Sequence, residues 1–105
     1  MAGNDECPMH RFCKVVGSKW GCIIVGGLAG KDELGFNELL RLLETNPRTL
    51  SIKLKELEKS GLIRRRVLGE ERPIRVMYSL TEKGAEAKEV MDYVAKWMKS
   101  WKEVI

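Results

Sequence analysis

Apolar residues in the first sixty positions recur every three or four residues, which is the spacing of one face of an α-helix. Glycine, proline and helix-capping residues interrupt this pattern and divide it into four predicted helices. The predicted bounds are Pro8–Val16, Lys19–Leu28, Glu38–Leu43 and Pro47–Ser60. Ser18, Asn37 and Asn46 are the expected N-caps of the last three, because their side chains can accept a hydrogen bond from the first helical turn.

The apolar positions of the second and third predicted helices are expected to form the core. In the second helix these positions are Trp20, Ile23, Ile24 and Leu28. In the third helix they are Leu39, Leu40, Leu42 and Leu43. Both helices should therefore be amphipathic and pack with these faces inward.

After position 60 the pattern changes to the alternation of a β-strand. The runs Leu62–Leu68 and Ile74–Leu80 predict two strands, and the polar segment Gly69–Pro73 between them predicts a turn. Phe36 is expected in a further short extended segment before the third helix. A hairpin that directly follows two helices joined by a tight turn predicts a winged helix-turn-helix fold, α+β in class and mostly α.

The fourth predicted helix has the two faces that a DNA-recognition helix needs. Leu50, Leu54 and Leu57 form a narrow apolar seam that can seat the helix on the domain. The opposite face is basic and carries hydroxyl groups, and the major groove of DNA is wide enough to admit one such helix. The predicted DNA-contacting residues of this helix are Arg48, Thr49, Ser51, Ile52, Lys53 and Lys55.

Charge is concentrated in the same part of the chain. Nine basic and four acidic residues lie between Pro47 and Arg75, which gives this segment a net charge of +5 when the whole chain has +4. Such a patch fits a polyanionic partner, although a solvated charged surface is the alternative. The arginines on or beside the hairpin are Arg64, Arg65, Arg66, Arg72 and Arg75. All five fit DNA backbone contacts or insertion into the minor groove, and the predicted DNA-binding residues among them are Arg64, Arg66, Arg72 and Arg75.

The last predicted helix runs from Glu82 to Lys102 after Thr81, its expected N-cap. It carries an apolar stripe with the heptad spacing of helix–helix seams. The predicted homodimer contacts on this helix are Met91, Val94, Trp97, Met98, Trp101 and Ile105. The alternative is that the stripe packs within the chain, against Trp20 and the second helix, and we expect part of it to do so.

Length and composition favour one globular domain over residues 1–105, with residues 1–6 flexible and 82–105 as the dimerisation helix. No apolar run approaches the length of a membrane span, and the acidic N-terminus lacks signal-peptide features, so a cytoplasmic protein is expected. The sequence has one histidine and neither a glycine-rich phosphate loop nor a nucleophile motif. We therefore expect neither an enzyme nor a cofactor.

Three cysteines are an odd number and predict no disulfide framework. Cys7, His10 and Cys13 could share one side of the first helix, as metal ligands do. They lack a fourth protein ligand, and cysteine is commonly buried for packing alone, so no metal site is predicted.

The chain resembles the HxlR-type regulators, winged-helix relatives of the MarR regulators, in short segments spread over nearly its whole length. These segments are Cys7-Pro8, Gly17–Trp20, Phe36–Leu39, Asn46–Ser51, Leu54, Leu57–Ile63 and Tyr78–Gly84. The resemblance implies a dimeric prokaryotic DNA-binding regulator with its recognition helix at Pro47–Ser60 and dimer contacts through the first and last helices. It also implies a redox or aldehyde sensor at Cys7, as in some members. The sequence departs from the family at Gly21-Cys22 and Gly26-Gly27, which concerns the packing of the second helix.

Together these features predict a sequence-specific, duplex-DNA-binding transcriptional regulator that acts as a homodimer. The presence of Cys7 is compatible with regulation by an oxidant or a small-molecule effector. The alternative is a winged-helix module that binds protein or structured RNA without operator specificity.

Overall fold

The structure is a computed structural model that describes residues 7–69 and 74–101. The described elements, in chain order, are α1 (Pro8–Val15), α2 (Lys19–Leu28), β1 (Leu34–Gly35), α3 (Phe36–Leu43), α4 (Pro47–Lys59), β2 (Ile63–Leu68), β3 (Arg75–Leu80) and α5 (Glu82–Ser100). This order confirms the predicted mostly helical winged helix-turn-helix. The predicted flexibility of residues 1–6 lies outside the described residues.

Side-chain caps fix the start of three helices, as predicted. The Ser18 hydroxyl accepts a hydrogen bond from the Gly21 amide at 3.1 Å and begins α2. The Asn46 carboxamide oxygen accepts from the Thr49 amide at 2.8 Å and begins α4. Thr81 begins α5 in the same way. Each cap satisfies one of the amide donors that a first helical turn leaves without a partner.

The start of α3 differs from the prediction. Phe36 is the first residue of the helix and not an extended residue, and Gly35 rather than Asn37 is the N-cap. The Glu38 carboxylate accepts a hydrogen bond from the Gly35 amide at 2.9 Å. Because Leu34 and Gly35 pair with β3, the chain turns directly from the sheet into the helix, and no room remains for a separate cap at Asn37.

Within residues 7–69 and 74–101, the sheet has three antiparallel strands in the order β1-β3-β2. Ile63 pairs with Leu80 and Arg65 pairs with Tyr78, so these four residues share the face that meets the helices. Strand alternation turns Arg64, Arg66 and Arg75 to the opposite face. The hairpin therefore carries its arginines on two different sides.

The core lies between α2, α3, α4 and the inner face of the sheet. Its buried apolar residues are Val16, Ile24, Val25, Leu28, Leu39, Leu50, Leu54, Leu57, Leu62, Ile63, Tyr78 and Ala87. The predicted core positions Trp20 and Ile23 are half-buried, and Leu42 is 54% exposed. Because several elements pack around α2, its buried side is centred on Val25 and its neighbours rather than on the stripe that includes Trp20.

Gly21 allows α1 and α2 to approach closely. An ideal Cβ at this position would lie 1.9 Å from the Val15 carbonyl oxygen, well inside van der Waals contact. The Ser18 hydroxyl reinforces the junction by donating to the same carbonyl at 2.9 Å. Gly26, in contrast, faces open space. Close approach of the backbone therefore requires glycine at Gly21 but not at Gly26.

Candidate nucleic-acid interface

The leucine seam of α4 packs into the core and fixes which face of the helix points outward. Leu50, Leu54 and Leu57 are at most 2% exposed. At 100° per residue, the side chains most nearly opposite them occupy an arc of about 60°. These outermost residues are Arg48, Ile52, Lys55 and Lys59, and all four are exposed. The outward face of α4 is therefore basic, with one large apolar side chain, Ile52, that is 47% exposed.

The other predicted residues of α4 lie on its flanks. Thr49 and Lys53 are on one side of the outer arc, Ser51 is on the other, and all three are half-buried. The Lys53 ammonium lies 3.5 Å from the Glu56 carboxylate, an exposed pair that leaves the lysine able to exchange partners.

The first turn of α4 offers a single amide donor. Pro47 has no N–H, and Asn46 already accepts from Thr49. Leu50 donates to the Asn46 carbonyl. In the described part of the chain, the Arg48 amide thus remains without a partner, next to the Arg48 guanidinium. An anion at this helix start could contact both.

The other end of α4 is tied to the start of α5. The Lys83 ammonium donates to the Ser60 carbonyl at 2.7 Å, and the Thr81 hydroxyl donates to the Gly61 carbonyl at 2.6 Å. The Thr81 amide donates to Leu62 at 3.1 Å. The Ser60 carbonyl is one that the end of α4 leaves open, and the Gly61 and Leu62 carbonyls belong to the segment that follows the helix. The three hydrogen bonds hold the orientation of α4 relative to the long helix.

The outer face of the hairpin carries Arg64, Arg66 and Arg75, all exposed. Arg66 differs from the other two because its guanidinium donates to both carboxylate oxygens of Glu33, one at 2.8 Å. Hydrogen bonding to this guanidinium lowers the pKa of Glu33, and the same bonds raise the pKa of Arg66. The predicted contact Arg72 lies outside the described residues.

The sequence grouped Arg65 with the other hairpin arginines, but its location differs from that of its neighbours. It lies on the inner side of β2 and lines a cleft of about 330 Å³ between the strand and α4. The other lining residues are Ser51, Lys55, Glu58 and Tyr78. The signal was present in the sequence, because buried Ile63 and the two-residue period of a strand together direct Arg65 towards α4.

Cys7 is exposed and is the N-cap residue of α1, where its carbonyl accepts from the Arg11 amide at 3.1 Å. Cys13 and Cys22 are also exposed, and all three thiols are free. Among residues 7–69 and 74–101, no three histidine, cysteine or acidic side chains cluster closely enough to hold a metal ion.

The second half of α5 exposes an apolar stripe. We call this surface the α5 stripe, and its residues are Val90, Val94, Trp97 and Trp101. They follow one another at intervals of four, three and four residues and are 46–55% exposed. Met91, a predicted dimer contact, is half-buried and packs against the core. Met98 is half-buried, and Ile105 lies outside the described residues.

No helix in the described segments is long and apolar enough to cross a membrane.

The helix-turn-helix, the hairpin and the long last helix match a known family. The family model described as HxlR-like helix-turn-helix covers residues 15–105. The chain belongs to this family. Curated relatives of the chain are named transcriptional regulators of the helix-turn-helix type.

The HxlR-like assignment agrees with individual relatives. The chain is 32% identical over 103 residues to the helix-turn-helix transcriptional regulator YvaP of Bacillus subtilis, and the match covers 96% of this chain and 94% of YvaP. The reduced form of the redox regulator HypR superimposes with a TM-score of 0.79 at 30% identity, covering 93% and 96% of the two chains. Reduced YodB from B. subtilis gives 0.77 at 30% identity, covering 89% and 91%.

Proposed function

We propose that this HxlR-like regulator binds duplex DNA sequence-specifically, with α4 in the major groove. The observation that carries the proposal is the outward face of α4, where three basic residues surround the exposed Ile52. A recognition helix needs such a face, because cations bind phosphates and guanine while an apolar side chain contacts the thymine methyl group. Arg48, at the start of the helix, has the geometry for a bidentate contact to guanine or for a phosphate.

The proposed interface extends from α4 to the hairpin. Thr49 and Lys53, on one flank, can reach base edges beside the outer arc. Arg64 and Arg75 supply positive charge to the DNA backbone, and Arg66 contributes less while Glu33 holds it. Backbone contacts of this kind fix the register of a protein on the duplex without recognising sequence.

The proposal includes a homodimer joined by the α5 stripe with help from α1. Two tryptophans and two valines form a continuous apolar surface that a soluble monomer would leave in water. On α1, Met9 is 63% exposed and offers a second apolar contact. A dimer places two recognition helices about one turn of DNA apart, roughly 34 Å, as a palindromic operator requires.

The test is selection of binding sites from random duplex DNA, followed by titration of the selected site, a scrambled duplex, an RNA duplex and heparin. We expect a palindromic motif and tighter binding to the selected duplex than to the other three polyanions. Arg48→Ala should weaken binding to the selected duplex by about 1–3 kcal/mol if the guanidinium contacts guanine. Equal affinity for all four ligands would instead support a module without operator specificity, which is the alternative function.

A redox-responsive or electrophile-responsive function at Cys7 is the second proposal. The free thiol is exposed at the start of α1, the helix that is proposed to assist dimer contact. Structures of the neighbour HypR are described in reduced and oxidized forms, which favours this function in a related fold.

Peroxide and an aldehyde should each change DNA affinity of the native protein but not of Cys7→Ser. Cys22→Ser is the matched control, because it removes another exposed thiol and should keep the response. Identical responses of the native protein and Cys7→Ser would remove this proposal while leaving DNA binding intact.

A further inference from the structure

We propose that the cleft between α4 and β2 is a phosphate-binding site. The inference rests on the proposed function in one respect: the phosphodiester backbone of DNA is one source of the ligand. A free phosphorylated small molecule is the other source, and the two share the chemistry that the cleft would recognise.

The cleft brings two cations together without neutralising them. Lys55 comes from α4 and Arg65 comes from the inner face of β2, and both line the same space of about 330 Å³. In the part of the chain that the structure describes, neither side chain forms an ion pair. Two convergent cations from different elements form a clamp that a phosphate can bridge, and guanidinium binds phosphate oxygens in a bidentate way.

The floor of the cleft supplies hydroxyl groups. Tyr78 is 7% exposed and lines the cleft, and its hydroxyl has no hydrogen-bond partner among residues 7–69 and 74–101. Buried polar groups in proteins are almost always hydrogen-bonded, so a hydroxyl left in this state points to a ligand that accepts from it. Ser51, half-buried on the flank of α4 that lines the cleft, adds a second hydroxyl donor.

Glu58 also lines the cleft and opposes an anion there. Its carboxylate forms no ion pair with either cation in the described structure. The lining therefore carries a net charge of +1, and the carboxylate limits affinity. A site of this composition binds a phosphate reversibly, and removal of the Glu58 charge should strengthen it.

The location assigns Ser51 and Lys55 to phosphate rather than to base edges. Ser51 lies on the flank of α4 that faces β2, and Lys55 lies at the edge of the outer arc next to that flank, whereas Ile52 lies at the other edge of the arc. A DNA strand that passes over the cleft would be held between the recognition helix and the hairpin, which fixes the depth of α4 in the groove.

The DNA arm of the test replaces backbone phosphates of the selected duplex, one at a time, with neutral methylphosphonates. At one phosphate in each half-site, the replacement should weaken binding of the native protein about tenfold. The same replacement should weaken DNA binding by Arg65→Ala and Tyr78→Phe much less, since these variants have already lost the contact with that phosphate. Arg64→Ala is the matched control, because it removes the same charge from the opposite face and should remain fully sensitive.

The second arm titrates the protein, without DNA, with inorganic phosphate at constant ionic strength. The amide resonances of Ser51, Lys55 and Arg65 are followed by NMR. Saturable shifts that Arg65→Ala loses and Glu58→Gln strengthens support the site, and Arg65→Lys should retain part of the response.

The outcomes separate this proposal from the proposed function. Sequence-specific DNA binding with no phosphate coupled to Arg65, together with no saturable phosphate response, overturns the cleft and leaves the function standing. A saturable phosphate response without DNA binding overturns the function and identifies the ligand as a free phosphorylated molecule. Methylphosphonate coupling without a response to inorganic phosphate assigns the cleft to the DNA backbone alone.

Discussion

Ile52 is the residue whose environment most clearly separates base recognition from simple charge attraction. It lies on the outermost arc of α4, between Arg48 and Lys55 on the helix surface, and 47% of it is exposed. A helix that only contacted phosphates would gain from a polar or basic residue here. An apolar branched side chain in this position can bury the C5-methyl group of thymine, which uracil lacks.

We expect replacement of one thymine by uracil in each selected half-site to weaken DNA binding by the native protein. The loss should be about 0.8 kcal/mol per site, the contribution of one buried methyl group. Ile52→Ala should bind both duplexes equally, and Ile52→Val should keep part of the discrimination. Competition titrations with the paired duplexes measure the difference. If Ile52→Ala distinguishes thymine from uracil as well as the native protein does, another side chain contacts the methyl group.

Among the elements, α2 contains two glycines, Gly21 and Gly26, whose replacement by alanine should have opposite effects on stability. Gly21 lies against the Val15 carbonyl, whereas Gly26 faces open space within a regular helix. Gly21→Ala should therefore destabilise the fold by about 1–3 kcal/mol, because backbone atoms must move to admit the methyl group. Gly26→Ala should stabilise it by up to about 1 kcal/mol, since alanine is the better helix former.

Urea unfolding of the two alanine variants measures both effects with the same chemical change in the same helix. The comparison requires equal m-values, so that differences in midpoint report stability. Equal destabilisation by the two substitutions would show that the α1–α2 contact is looser than the geometry indicates.

The hairpin illustrates which features of an element a sequence can predict. Its two strands and the helix caps at Ser18, Asn46 and Thr81 followed from local rules, because capping and alternation depend on residues close in sequence. The partner of Arg66 did not follow, since Glu33 lies 33 positions away and meets it only through the pairing of β1 with β3. Long-range pairing also explains why the N-cap of α3 is Gly35 and not Asn37.

The location of Arg65 was predictable in principle. The charge count grouped it with the neighbouring arginines, but the buried position of Ile63 and the period of the strand separate it from them. A basic cluster in a strand therefore has to be divided by face before roles are given to its members. The cleft with α4 itself required the packing of two elements, which no local pattern contains.

The Glu33–Arg66 pair should restrain the electrostatic contribution of the hairpin to DNA binding. Arg66→Ala should weaken binding less than Arg75→Ala, because Glu33 already offsets the charge of Arg66. Glu33→Gln should tighten binding and make it more salt-dependent, with a slope change of up to about 0.9 for one added phosphate contact. DNA affinities measured from low to high salt test both predictions. If Arg66→Ala weakens DNA binding more than Arg75→Ala does, Glu33 does not offset the charge of Arg66 in the way proposed.

The same pair has a defined pH dependence. The pKa of Glu33 is lowered by hydrogen bonds from Arg66, so the folded state favours the ionised carboxylate. Its contribution to stability is present above the unfolded pKa of about 4.3 and is lost as the pH falls through the lower folded pKa. NMR titration of the Glu33 carboxyl should give a lower pKa in the native protein than in Arg66→Gln; equal values would show that the pair does not persist in solution.

At the scale of the whole molecule, α5 extends the protein beyond what its own core requires. Only Gly84 and Ala87 of this helix are buried, and both belong to its first two turns. The second half carries the α5 stripe, whose four side chains lie within an arc of about 60° on the helix surface. An exposed apolar stripe of this kind suits a two-fold dimer in which each protomer covers the stripe of its partner.

We therefore expect the native protein to sediment as a dimer at micromolar concentration and Val94→Glu/Trp97→Glu to sediment as a monomer. Both side chains are about half exposed in the single chain, so the charges should disrupt association without disturbing the core. Lys99→Glu is the control, because it changes charge on the opposite side of α5 and should remain dimeric. The monomeric variant should also lose most of its affinity for a palindromic duplex, since only one recognition helix can then bind at a time. A native monomer, or a double variant that stays dimeric and binds the palindrome normally, would show that another surface joins the protomers.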